Sequence, residues 1–520
     1  MTPPEEQKAP SRKEGLGQKI ASAMIWDYGG YTLLMLLGMT LSIVLVRFLG
    51  KEKYAIYAFV INLKAMLILL VSFGMDTSIS RFVPEWISSE KKGNVRSLLG
   101  IILKSRAAIL IVLAIPCLLL AGPITRIFLD KDIFTWYVRL MPLLMAPVLF
   151  YGPLQTFLVT QYRQRYINIF CFLSASINLI ISAWLAATGY GPGAVILALF
   201  ASELLLVAAF ARETRSFFPP AVEKKEKALP LKRLFTFSFN IYLYSVMLFV
   251  MGKGLDIFLL GKFHADLAQI TYYSIAFSFA YFSISALDRA FSGGFIVPLI
   301  TELYTRREGY KLQKVFSGAF QFIYIYALPV TIGGLILAGD LIGILFGREY
   351  RIPVGRLAAV TLLYMVITKF GRISASFMTA MDREKQLIFS RFIFGMANVV
   401  LNLLLIPRYG AMGAVIGTGI AGILAICYEA RILDKILQPS YPAGFLLKVF
   451  GASLVMGITV MLVRSRLGPG SIQATMGALA AGVIAYILLL ILIKPLTEEV
   501  TEFLGNLKLP GKRLILLLLR

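Results

Sequence analysis

Long apolar runs separated by short polar breaks occupy the chain from about residue 21 to residue 493. About 20 consecutive apolar residues are needed for a helix to cross the hydrocarbon core of a bilayer. Runs of roughly that length fall at 21–46, 54–75, 98–121, 133–159, 166–188, 193–211, 234–260, 267–290, 314–338, 357–380, 387–406, 411–430, 443–463 and 473–493. The pattern therefore predicts an all-α integral membrane protein with about fourteen spans. Most breaks are short. The longest, RETRSFFPPAVEKKEKALPLKR at 212–233, separates six runs from eight.

Composition agrees with this pattern and removes the prior for several soluble domains. Hydrophobic residues make up 58% of 520, and mean hydropathy is +0.78. Charged residues are 15%, against about 25% in soluble domains. The net charge of +24 would suggest nucleic acid in a soluble protein. Here the cations flank apolar runs, so they read as topology, and no nucleic acid is expected as partner. Placing the N-terminus inside puts most Lys and Arg on the cytoplasmic side. The 212–233 break alone holds Arg212, Arg215, Lys224, Lys225, Lys227, Lys232 and Arg233, whereas Gly189–Pro192 holds none. The expectation is a multi-pass protein of the cell (cytoplasmic) membrane with both termini cytoplasmic.

Other groups say less. MTPPEEQKAPSRKEGLGQK has no apolar core ending in a cleavage site, so it reads as a disordered cytoplasmic tail. Cys117, Cys171 and Cys427 lie in apolar runs and read as small buried residues. His264 is the sole histidine, and no metal or other cofactor is expected.

An internal repeat organises the runs. TFLVTQYRQRYINIFCFLSASINLIISAWLAATGYGPGAV, from Thr156, aligns without a gap to SFMTAMDREKQLIFSRFIFGMANVVLNLLLIPRYGAMGAV, from Ser376. Phe157 matches Phe377, Asn178 matches Asn398, and Gly193-Ala194-Val195 matches Gly413-Ala414-Val415. Upstream, Pro84 and Pro116 are mirrored by Pro298 and Pro329, and Asp76 by Asp288. An even number of spans per copy gives two six-helix lobes related by a pseudo-two-fold axis along the membrane normal. The expected organisation is a tail at 1–20, an N-lobe at 21–211, a basic linker at 212–233 and a C-lobe at 234–436. Two extra helices follow at 437–494, at the periphery or building a side groove, then an interfacial cytoplasmic tail at 495–520.

The candidate chemistry is charge inside the spans. VITKFGRISASF, Val366 to Phe377, carries Lys369 and Arg372, where each buried charge costs roughly 2.5–3.5 kcal/mol on insertion scales. The spacing of three puts both on one helical face, and Ser376 continues it. Lys64 also falls near mid-membrane; Lys253 and Arg139 lie toward outer ends; Lys104, Arg106, Arg289 and Arg391 are shallower, with snorkelling the simpler reading for the last two. Asp256 follows Lys253 by three and can pair with it. Glu203 is central in its span and is either a proton or sodium site or the partner of a cation. Asp76 reads as a cap of an adjoining segment. The deep charge is net positive, which implies an anionic ligand such as a phosphate or pyrophosphate, Arg offering bidentate contacts and Lys a point charge. Internal salt bridges are the competing reading.

RFLGKEKYAIYAF, SFGMDTSISRFVPE and GYGPGAV, in their order among fourteen spans and a six-plus-six repeat, resemble the Wzx-type flippases, the polysaccharide-biosynthesis branch of the multidrug/oligosaccharidyl-lipid/polysaccharide exporter superfamily. The resemblance covers nearly the whole chain. It implies two lobes in a V, alternating access, a cationic central cavity and no enzymatic activity. It also implies a polyprenyl-(pyro)phosphate-linked oligosaccharide as cargo, for polysaccharide or glycan biosynthesis. The expected cavity residues are Lys369, Arg372, Lys64, Lys253 and Arg139. Glu203 and Asp256 are the candidates for H+ or Na+ coupling or for charge pairing. Membrane lipids are the other partners, and the protein is expected to act as a monomer.

Two transporter alternatives stay open: a cation-coupled multidrug exporter of the same superfamily and a lipid II flippase. Cationic drugs would meet repulsion from the deep Lys and Arg. A membrane glycosyltransferase or ligase needs a catalytic constellation, and no HExxH, P-loop or nucleophile elbow is present.

Overall fold

A computed structural model describes residues 14–89, 92–128, 131–218, 230–285, 296–468 and 470–496. Half of the 212–233 linker (219–229), both chain ends, Asp288 and Arg289 lie outside these residues. The described chain is helical and contains no strand. Its helices are α1 (Glu14–Ser72), α2 (Met75–Ser88), α3 (Lys92–Leu119), α4 (Ala121–Phe128), α5 (Thr135–Thr160), α6 (Gln164–Ala187), α7 (Pro192–Ser216), α8 (Leu231–Val250) and α9 (Lys253–Phe263). They continue as α10 (Ala268–Ser285), α11 (Ile296–Thr305), α12 (Gly309–Leu345), α13 (Pro353–Thr368), α14 (Phe370–Ala380), α15 (Glu384–Leu437), α16 (Ala443–Leu467) and α17 (Ile472–Ile493). Among the described residues, 11 helical stretches are long and apolar enough to cross a membrane, which makes this a multi-pass membrane protein.

That number differs from the fourteen expected for two physical reasons. First, α1 and α15 run for 59 and 54 residues, near 80–90 Å at 1.5 Å per residue, far beyond a core of about 30 Å. Each is broken at one glycine: Gly50 at φ 74, ψ 175 and Gly410 at φ 55, ψ −132. These are backbone conformations that residues with a Cβ avoid. Second, the run expected at 267–290 is described only as far as Ser285, as α10, and is not among the 11; the run at 234–260 is split at Met251–Gly252 into α8, which is among them, and the short α9. The first helix also starts at Glu14, within the segment expected to be a disordered tail.

The chain forms two compact units. Unit 1 comprises 1–41, 67–125 and 135–242. Its core packs Ile79, Phe82 and Trp86 of α2 against Leu98, Leu99 and Ile102 of α3, Phe157 of α5 and Phe210 of α7. Unit 2 comprises 42–66, 126–134 and 243–520. Its core joins Phe316 and Phe320 of α12 to Phe370 and Phe377 of α14, and Tyr441 closes on the same rings at 5.6–6.3 Å.

Polar contacts tie the two early segments into unit 2. Arg47 donates to the carbonyls of Leu345, at 2.7 Å, and Ile344 at the C-terminus of α12, where a cation meets the negative end of the helix dipole. Thr271 donates to Lys51 O at 2.5 Å, and Lys131 Nζ to His264 O at 2.5 Å.

The sequence repeat has a backbone counterpart. Gln164 opens α6 and Glu384 opens α15, 220 positions apart (384 − 164). The turns before them share one geometry: Tyr162 and Asp382 both have φ 58. Arg163 N bonds Leu158 O, and Arg383 N bonds Met378 O at the same offset.

Candidate functional site

Helix irregularity places the buried polar groups of both units. In unit 1, α5 contains Pro142, Pro147 and Pro153. Pro153 has no N–H, so the carbonyl four residues earlier, Leu149 O, loses its helical donor. Arg106 Nη1 of α3 fills that vacancy at 2.6 Å. Arg106 Nη2 meets Asp76 Oδ1 at 2.6 Å. Arg106 is 2% exposed, held inside the protein by these two partners. Asp76 is its counter-ion in the first turn of α2, and that helix start carries no side-chain cap. Glu203 of α7 is 8% exposed and within electrostatic reach of Tyr151. Arg139 of α5 is exposed.

Unit 2 holds the other candidates. Lys369 sits at the joint of α13 and α14, 8% exposed, with Nζ 2.7 Å from Ser285 Oγ. Arg372, one turn on, is exposed. The two share a helix as the spacing predicts, but one is inside the unit and the other on its surface. Lys64 of α1 is buried. Beyond Arg372 lies a second buried ion pair. Arg391 Nη2 is 2.8 Å from Glu429 Oε1, with 13% and 0% side-chain exposure. Ser374 and Ser390 donate to the same carboxylate at 2.5 and 3.2 Å. Tyr244 is within electrostatic reach of Arg391, Glu429 and Arg372. Arg391 therefore does not snorkel: its partner, 38 residues on along the folded-back α15, holds it inside.

Asp256 corrects another expectation. It does not pair with Lys253. Lys253 opens α9 just after the Met251–Gly252 break and is exposed, with Nζ 5.9 Å from the Phe277 ring centroid. Asp256 is 0% exposed. Asn402 Nδ2 donates to its Oδ1 at 2.6 Å, Thr418 to its Oδ2 at 2.8 Å, and Tyr273 also to Oδ2. Asn398 completes the cage. Its amide donates to Val250 O at 2.7 Å, the carbonyl freed where α8 ends, and its Oδ1 lies 3.1 Å from Asn402 Nδ2 and 3.2 Å from Thr418 Oγ1. The single Thr418 proton faces two acceptors, and Asn402 Oδ1 is buried with no hydrogen-bond partner. Oxygen acceptors thus outnumber protons around a buried carboxylate. Asn398 was visible in the repeat, but its role was not; the only other signal was the four-residue spacing of Asn398 and Asn402 in an apolar run.

The polar groups do not follow the repeat. Subtracting 220 from Lys369, Arg372, Ser374, Ser390, Arg391 and Glu429 gives Leu149, Gly152, Leu154, Phe170, Cys171 and Ala209. Unit 1 has no acid–base pair at those positions and builds its own from Asp76 and Arg106. Among the described residues, no three His, Cys, Asp or Glu side chains converge as a metal site.

Residues 44–354 match the family described as polysaccharide biosynthesis protein. The chain is 20% identical over 458 residues to a membrane protein of Methanocaldococcus jannaschii, MJ1068, covering 82% of this chain and 86% of that one. It is 21% identical over 269 residues to a Haloferax volcanii protein named "Probable low-salt glycan biosynthesis flippase Agl15", covering 50% and 55%. Among solved structures, the lipid II flippase MurJ in an inward closed conformation superposes with TM-score 0.69 at 15% identity, over 88% of this chain and 96% of that one. At that identity the likeness is one of fold.

Proposed function

The chain belongs to the polysaccharide biosynthesis protein family, and on that premise we propose that it is a flippase of the multidrug/oligosaccharidyl-lipid/polysaccharide exporter superfamily. Its cargo is a polyprenyl-(pyro)phosphate-linked oligosaccharide, moved by alternating access across the cytoplasmic membrane. Both termini are cytoplasmic, and the protein works as a monomer without enzymatic chemistry. The observation that carries this reading is the Lys369–Arg372 turn. A buried ammonium and an exposed guanidinium follow each other on a stretch, Pro353–Ala380, that is long and apolar enough to cross a membrane. Charge in such a place faces protein interior or a watered path. Arg372 offers a planar donor pair to a phosphate and Lys369 a point charge. Within the same unit, Lys253 is exposed at the start of α9 and Lys64 is buried on α1, and both add positive charge; Arg139, exposed on α5, is the cation that unit 1 would offer the cargo.

The Asp256 cage supports ion coupling. A carboxylate without a cationic neighbour in its cage, with more oxygens than protons around it, is suited to take up a proton or a small hard cation such as Na+, which prefers oxygen ligands. Glu203 is the alternative coupling group.

The test is flipping of a lipid-linked oligosaccharide in liposomes, with Lys369→Ala and Arg372→Ala beside wild type. Both variants must first match wild type in expression and in size-exclusion profile. Loss of flipping by at least about tenfold in each variant is expected, the scale of one charge-assisted contact. Wild-type rates in both variants would leave the cargo reading standing and remove these residues from the path. No flipping by wild type with any donor would remove the cargo reading itself.

A further inference from the structure

A groove of about 690 Å³ in unit 2 is formed by α10, α12, α16 and α17, within the range of about 300–1,000 Å³ typical of built ligand sites. Its walls are almost wholly apolar, because its polar atoms are already spent on backbone. Pro329 frees Ile325 O, and Tyr486 Oη donates to that carbonyl at 2.6 Å. Tyr326 Oη donates to Ser283 O at 2.5 Å. Leu479, Val483 and Ile487 line the groove and are themselves exposed, so it opens on the protein surface.

One end of the groove is lined by Leu337 and Leu341 of α12 and by Val460 of α16. Between those leucines and one turn beyond that valine stand Asp340 and Arg464. Arg464 Nε is 2.5 Å from Asp340 Oδ2, and Arg351 Nη2 is 2.7 Å from Asp340 Oδ1. The Asp340 side chain is 0% exposed, whereas Arg351 and Arg464 are 37% and 30% exposed. One carboxylate cannot saturate two guanidinium forks. Arg464 meets Asp340 through Nε and Arg351 meets it through Nη2, so neither guanidinium gives all its donors to that carboxylate. Gly470, at φ +90, gives the Arg351 fork its room: a Cβ there would sit 2.7 Å from Nη1. Arg348 and Arg356 flank Arg351 in sequence and Arg466 follows Arg464, so these loops and the adjoining helix ends hold five arginines against two carboxylates, Asp340 and Glu349. The proposed topology puts these loops on the side where cations are otherwise sparse.

We infer that this end of the groove is a binding site for an anionic phospholipid of the surrounding bilayer. The phosphate is taken by the open donors of Arg351 and Arg464, and an acyl chain lies along α16 and α17. The charge surplus selects an anionic head over a zwitterionic one, and the exposed apolar mouth admits the chain sideways from the membrane. The inference is independent of the cargo proposed above.

Native mass spectrometry of the full chain in micelles, with phosphatidylglycerol and phosphatidylcholine of matched chains at equal concentration, tests it. Wild type should retain phosphatidylglycerol over phosphatidylcholine by about tenfold, the worth of one charge-assisted hydrogen bond. The triple variant Asp340→Asn/Arg351→Gln/Arg464→Gln leaves no buried carboxylate unpaired and should lose that preference. Val483→Trp fills the exposed mouth and should lower retention of both lipids while keeping their ratio. Equal retention of the two lipids by wild type overturns the site, as does an undiminished preference in the triple variant. If the triple variant does not fold, wild type and Val483→Trp decide the matter alone, unchanged retention in Val483→Trp ruling out the groove. Displacement of phosphatidylglycerol by an equal amount of an isoprenyl phosphate would assign the site to the carrier lipid and overturn the choice of occupant.

Discussion

Arg106 serves a carboxylate and a proline-orphaned carbonyl at once, so its replacement should cost more in the presence of Pro153 than in its absence. Arg106→Met breaks a pair in which the cation is 2% and the acid 33% exposed. Breaking a buried pair costs about 3–5 kcal/mol. Partial hydration of Asp76 pulls that toward the lower end. The loss of a charged donor to Leu149 O belongs to the same few kilocalories, since such bonds are worth about 1.5–3 kcal/mol. About 3–4 kcal/mol is therefore expected for the single variant. Pro153→Ala gives Leu149 O a helical N–H, so Arg106→Met in that background should cost about 1.5 kcal/mol less. The four proteins form a double-mutant cycle, read as unfolding free energies from denaturing-detergent titrations in mixed micelles followed by circular dichroism. Residues in one network couple by about 0.5–3 kcal/mol. A coupling below about 0.5 kcal/mol, with both single variants folded, would refute the claim that Arg106 replaces the donor that Pro153 lacks.

Other expectations follow from the same geometry. Gly410→Ala forces a Cβ to within 2.7 Å of Gln269 Oε1 and 3.1 Å of His264 Nε2 at φ +55, so it should lose about 3 kcal/mol or more, strain alone costing about 1–3. Gly29→Ala, with nothing within 4 Å of its Cβ, should shift the thermal midpoint little, and equal midpoints for the two variants would count against the constraint. Glu429→Gln leaves the Arg391 charge buried and should cost about 3 kcal/mol, against about 1 kcal/mol for Ser374→Ala, both read from detergent unfolding midpoints. Asp256→Asn should fold normally yet flip at one rate whether or not a Na+ or pH gradient is imposed, whereas wild type responds to one of them. A gradient response retained in the variant would move coupling away from the cage and toward Glu203.

The sequence made much of the scaffold legible because hydropathy and repeats are one-dimensional signals. The match of Thr156 onward to Ser376 onward has its backbone echo in the turns at Tyr162 and Asp382. Charge partners were not legible, because partners are chosen by packing. Lys253 and Asp256 share the first turn of α9, yet Lys253 is exposed while Asp256 is buried and finds its donors on three other segments. Arg391 reads as a snorkelling side chain because position near a helix end does not reveal a partner packed against it, and the partner of Arg106 was equally hidden. Their acids, Glu429 and Asp76, come from chain segments that spacing within one span cannot bring near. Helices are fewer than runs because Gly50 and Gly410, each a single residue at positive φ, join two expected runs within one continuous helical stretch.

The unequal charges on an otherwise repeated backbone have a consequence for ancestry. A duplicated chain starts with interchangeable halves, each able to do what the other does. Leu149, Gly152, Phe170, Cys171 and Ala209 stand where the second half has Lys369, Arg372, Ser390, Arg391 and Glu429. A tandem of two first halves would therefore inherit the architecture and lose the cationic turn, and a tandem of two second halves would carry it twice. Specialisation of one copy, with the other kept apolar at the same register, divides the labour: one half keeps the charge and its sibling keeps only the scaffold.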